Sequence, residues 1–214
     1  MIFEINSKKD KFVEDIYDKG MKELDKFFEL GWIRNTPFIF VVPDRKTIDK
    51  LRREKTEDWL VAWADSRSRI IYLLDKKNLE KESNHKYSKE TYTARIKHEL
   101  THMFVSAYSK LINIKPCWLN EGIAIYLSEQ NKFKENPIKF SKFLESYDKI
   151  TEGVYDESGF FVEFLIKKFG KEKLLKLIKS LKDNLTKEEF NKNFKEIYKF
   201  DLTYNKINRL IMKK

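Results

Sequence analysis

Residues 98–102 read His-Glu-Leu-Thr-His, a spacing suited to holding a metal ion. On a helix, positions i and i+4 lie on one face about a turn apart, so both imidazoles can reach a single cation. Zinc is the ion this ligand type and spacing suggest, at about 2.0–2.1 Å from each nitrogen. Glu99 projects beside that face, where it can accept a proton from an attacking water without ligating the metal. The same five residues also occur in helices where the histidines serve only as a polar contact. The flanking helix is apolar on its packing side, and two of the chain's three histidines lie in this motif. Both features favour the metal.

A catalytic zinc takes three protein ligands and keeps a position open. His85 lies in the polar stretch EKESNHKYSKE, where a solvated loop histidine is expected. Glu121 is the better third ligand. It sits in PCWLNEGIAIYLS, an acid flanked by Trp118, Leu119, Ile123, Ala124 and Ile125, and a buried carboxylate needs a partner. Cys117, the only cysteine, rules out an internal disulfide and reads as a small buried hydrophobe. Trp118 reads as structural, packing the Glu121 helix onto the motif helix.

These side chains must be positioned by elements that the apolar periodicity outlines. A first amphipathic helix is expected over 10–31, stopping at Gly31. PFIFVV (37–42) reads as a strand, followed by a short helix near 46–54. WLVAWA (59–64) and RIIYLL (69–74) read as a hairpin turning at Asp65–Ser68. Beyond a charged loop (75–89) the pattern becomes helical. The helix over 90–109 carries Ile96, Leu100, Met103 and Ala107 as its core stripe. Others follow at 118–129, 137–147 (Asn136 as cap, Pro137 at its first position), 157–169, 171–183, 186–198 and 202–213. Thr186 and Glu189 make a capping-box pair. The expectation is one α+β domain over 1–214. Residues 1–89 supply a small mixed sheet, and residues 90–214 a helical part with the metal site.

The 214 residues carry a formal charge of +10, with 41% hydrophobic and 14% aromatic residues. That excludes a disordered chain and supports a real core. The basic residues are mostly lysines interleaved with acids, with no arginine-rich segment, which argues against nucleic acid as partner. No apolar run approaches the length of a membrane helix, and MIFEINSKKDKF lacks a signal-peptide pattern. A cytoplasmic setting is therefore expected.

HELTH, then eighteen residues, then Glu121 within WLNEG, resembles the gluzincin metallopeptidases, especially the aminopeptidase N-type branch of the thermolysin-like enzymes. The resemblance covers about 38–200 and is most specific over 95–126. It implies a thermolysin-like (zincin) catalytic domain, with His98, His102 and Glu121 on zinc and Glu99 activating water. It also implies an oxyanion-stabilising tyrosine shortly before a helix. GVYDESGFF offers Tyr155, one residue further from its glycine than in the aminopeptidases. The strand pair 59–74 falls where gluzincins keep the edge strand that binds substrate backbone, here near Ala62, Trp63 and Ala64.

The amine-anchoring Gly-x-Met-Glu-Asn segment of the aminopeptidases has no counterpart between 30 and 95, and their large preceding β-domain is missing. Together these imply an endopeptidase acting on a peptide or protein. The rival expectations are a latent enzyme whose C-terminal helix blocks the cleft, and a non-catalytic scaffold on the same fold.

Overall fold

The computed structural model describes residues 10–32 and 37–212, so most of the N-terminal stretch read for a leader, like Lys213 at the end of the last helix, lies outside the described residues. Asp10 caps α1 (Lys11–Phe28), its carboxylate accepting from the backbone N–H of Phe12 and Val13. β1 (Phe38–Val42), α2 (Arg45–Arg52), β2 (Ala62–Asp65) and β3 (Ile70–Leu74) follow. β3 lies between the other two, parallel to β1 and antiparallel to β2. Residues 59–61 stay outside the strand, and Trp59 is exposed. Arg45 ties the approach to β2 in place: its guanidinium donates to the carbonyls of Glu57, Asp58, Leu60 and Glu82.

α3 (Lys89–Ser109) runs through the middle of the molecule, opened by a capping box between Ser88 and Thr91. Its buried residues face in several directions: Tyr92, Ile96, Leu100, Met103, Phe104 and Val105 are core, and His98 and Glu99 are buried with them. Ala107, expected on the core stripe, is exposed, while Tyr108 beside it packs against Phe28. α4 (Cys117–Leu127) packs along α5 (Val154–Phe169). At Gly122 a Cβ would meet the Ser158 carbonyl oxygen at 2.7 Å, and at Gly159 it would collide with Ile125. The two helices therefore approach as closely as backbones allow. α6 (Lys171–Lys179), α7 (Lys187–Tyr198) and α8 (Tyr204–Met212) complete the described helices. Thr186 and Glu189 form the capping box on α7 that their spacing predicts.

The Trp118 ring meets Phe143, Phe161 and Phe190, so it also joins α4 to α5 and α7. Among the described residues no helix is long and apolar enough to cross a membrane. The architecture is mixed α+β, a small three-stranded sheet followed by mostly helical structure.

The helix expected over 137–147 does not form. Only a 3₁₀ turn at Phe143–Glu145 occupies it, and Asn136 caps nothing. Its backbone groups are satisfied from elsewhere. The buried Glu157 carboxylate accepts from the N–H of Ser141, Lys142 and Phe143 at 2.9–3.1 Å. Asn208 bonds both backbone groups of Phe140, and the Tyr204 hydroxyl accepts from Leu144 N–H. α8 thus lies against this segment. Glu157→Ala strips three amides of their acceptor and should cost about 3 kcal/mol of unfolding free energy. Urea titration would read this directly, and a loss below about 1 kcal/mol would deny Glu157 that role.

Candidate metal centre

His98 and His102 stand one turn apart on α3, with ring centroids 4.7 Å apart and planes nearly perpendicular. Glu121, in the second turn of α4, reaches across to both. His98 Nε2 lies 3.3 Å from Glu121 Oε2, and His102 Nε2 lies 3.6 Å from Oε1. The two Nε2 atoms are 3.1 Å apart. A tetrahedral ion with ligands at about 2.0–2.1 Å requires ligand atoms about 3.3 Å from one another. The two imidazole nitrogens stand close to that edge, each glutamate oxygen faces one of them, and the three side chains could hold a metal ion. All three side chains are largely buried, and each histidine's Nδ1 is enclosed without a hydrogen-bond partner. Burial pushes the Glu121 carboxyl up, but the facing His102 and the hydrogen bond from His98 outweigh it, and it ends below its ordinary range.

Glu99 is 7% exposed and outside the ligand cluster. Burial pushes its carboxyl up to about 7, with Glu121 adding to the rise. His102, Arg95 and the Ala64 backbone N–H oppose it. That amide identifies the element beside the base. Val61 O accepts from Leu74 N–H at 2.8 Å, and Ala62 and Ala64 pair with Leu73 and Ile71. Antiparallel alternation then turns the backbone groups of Ala62 and Ala64 away from β3, onto an edge that no described strand covers. Trp63 faces the other way in both respects: its backbone bonds β3, and its ring stacks on Tyr72 at 4.5 Å.

Compared with protein-family models, curated proteins and solved structures, the chain matches none. What it can do is therefore read from its own geometry.

Tyr155 lies in the first turn of α5, which starts at Val154 rather than 157. It is inside the helix, not ahead of it, because Glu157 anchors this turn to the 141–143 loop. Its residue surface is about a third exposed (36%). Burial first, then the charges of Glu121 and Glu99, push its phenol up. It stays protonated near neutral pH and can donate a hydrogen bond.

His85 is half-buried rather than solvated, with Nε2 2.9 Å from the Trp59 carbonyl, and it stands apart from the ligand cluster. Cys117 is also half-buried, its thiol pushed up by burial and then by Glu121. Sequence reasoning passed over two cations near the site. Lys134 Nζ donates to the Tyr155 carbonyl at 2.5 Å and lies 5.9 Å from that ring. Arg95 is four residues before Glu99 on α3, with its Nη1 buried and unbonded. The i, i+4 relation between Arg95 and Glu99 was available from spacing alone. Nothing local marks Lys134.

Proposed function

We propose that this chain is a zinc-dependent endopeptidase with a thermolysin-like, gluzincin-type catalytic domain. The observation that carries this reading is the convergence of His98, His102 and Glu121 into one cluster that could hold a metal ion, beside a buried, unligated Glu99. A zinc ion held by those three supplies Lewis acidity to the scissile carbonyl and makes water a better nucleophile near neutral pH.

The chain's residues perform the remaining work. The outward backbone groups of Ala62 and the carbonyl of Ala64, whose N–H faces Glu99, receive the substrate as an added strand next to the base. The Trp63 backbone, bonded to β3, steadies that strand. Glu99 takes the proton of the attacking water and delivers it to the leaving amine. The Tyr155 hydroxyl donates to the oxyanion as the carbonyl becomes tetrahedral. Tyr155→Phe removes that donor and little volume, so kcat should fall about 100-fold with KM nearly unchanged. A kcat within threefold of the parent would take Tyr155 out of the mechanism.

The reading as a whole is tested by elemental analysis of protein purified without chelators, together with a peptide-library digest with and without chelator. About one zinc per chain and chelator-sensitive cleavage within peptides are expected. Zinc without cleavage would replace the enzyme by a latent or binding form of the same fold. Absence of metal would overturn the central assignment.

A further inference from the structure

Arg95 is a half-buried cation that forms no ion pair among the described residues. Its Nη1 is shielded from solvent and has no hydrogen-bond partner. Burial works against its charge, which Glu99 supports through space without forming an ion pair. The Glu99 carboxylate instead has the Ala64 N–H facing it. Neighbouring polar atoms are already engaged: His85 Nε2 with the Trp59 carbonyl, and the Tyr92 hydroxyl with the Leu74 carbonyl. Arginine does not shed its proton, and an enclosed donor left without an acceptor is unfavourable. Lys134 differs, because one of its donors is spent on the Tyr155 carbonyl and Asp156 and Glu121 support its charge.

The place of Arg95 fits a ligand arriving along β2. The uncovered edge passes Glu99 at Ala64. Toward Trp59 it meets His85, whose ring feels the Arg95 charge. The guanidinium is one turn of α3 from the base, about 6 Å along the helix. A strand added to β2 rises about 3.3 Å per residue. For a strand running alongside α3, that helical rise corresponds to about two residues from the bond that Glu99 serves. The guanidinium's planar fork of donors matches a carboxylate.

We propose that Arg95 is a specificity-determining residue that receives a substrate carboxylate about two residues from the cleaved bond. This rests on the peptidase reading above. The carboxylate belongs either to an Asp or Glu side chain or to the peptide's own C-terminus, and the chemistry at Arg95 is the same.

The test uses matched peptides built around a bond found in the library digest. Glu or Gln is placed two residues before or after that bond, and the C-terminus is free or amidated. Wild-type protein should show at least a tenfold higher kcat/KM for one carboxylate over its amide. The Glu/Gln pair reports the side-chain source, and the acid/amide pair the terminal one. In Arg95→Met the acid-over-amide ratio should shrink to about twofold, and because Arg95 also supports the Glu99 charge the ratio rather than either absolute rate is the readout. Arg95→Lys, which keeps the charge but loses the fork, should retain part of it and stands in if the Met variant fails to fold.

Equal rates on acid and amide in the wild type would overturn the inference, leaving Nη1 to water alone. So would a preference that survives Arg95→Met. Binding of hexapeptide pools, Glu-containing against Gln-containing, to zinc-loaded Glu99→Gln protein gives a second readout by fluorescence anisotropy. Tighter Glu-pool binding, lost with Arg95→Met, supports anion recognition even if no bond is ever cleaved. Absence of cleavage with that binding preference intact would sink the peptidase reading alone.

Discussion

Glu99→Gln should keep about one zinc per chain and lose about 1,000-fold in kcat, the usual contribution of a positioned general base. Gln preserves the shape of the side chain and can still accept from the Ala64 N–H that faces Glu99. It cannot take a proton. No second carboxyl can stand in, because Glu121 is committed to the two imidazoles. Glu99 belongs to no ligand cluster, so the substitution leaves the metal donors intact. Metal analysis beside a peptide assay separates the two effects, and a rate within tenfold of the parent would remove Glu99 from the base role. The sign of the pH dependence follows. Burial holds the Glu99 carboxyl near 7 in the metal-free protein, and a neighbouring dication draws it lower. Activity should therefore fall on the acid side as the carboxylate is protonated, with that limb lying below pH 7.

The second large effect concerns Glu121. Glu121→Ala removes one of three ligands and should weaken zinc binding by about 3 kcal/mol, roughly a hundredfold or more. The two histidines would remain within 3.1 Å of each other with no anion to balance a dication. Competition against a chromophoric chelator measures the loss, and an unchanged affinity would strike Glu121 from the ligand set. His85→Ala is the matched control. That histidine bonds the Trp59 carbonyl at 2.9 Å, outside the cluster, so zinc affinity should stay within about twofold.

The parts of this molecule that could be read in the sequence are those governed by near neighbours. Helical spacing of apolar residues outlined α3 and α4, and the apolar flanks of Glu121 signalled a buried acid, which it is. Thr186 and Glu189, three residues apart, capped α7 as their types dictate. The failures have distant causes. Residues 137–147 carry good local helix signals, but Glu157, Asn208 and Tyr204 claim their backbone groups from up to 68 residues away. A side chain that offers several acceptors to one loop outcompetes a short helix, and no local window contains it. The start of α5, and with it the place of Tyr155 inside the helix, shifted for the same reason. The aromatic partners of Trp118 were not legible, because Phe161 and Phe190 lie 43 and 72 residues further along the chain.

The close packing at Gly122 and Gly159 has a mechanical consequence. Gly122 lies against the Ser158 backbone and Gly159 against the Ile125 side chain, so α4 and α5 interlock at two points. Glu121 and Tyr155, one on each, can hardly shift relative to one another. The other half of the apparatus, His98, His102 and Glu99, belongs to α3, with β2 beside it. The candidate centre therefore draws its side chains from both α3 and α4, and an ion held by His98, His102 and Glu121 would tie the two helices together. A motion that parted them would pull Glu121 off the imidazoles and disassemble the site.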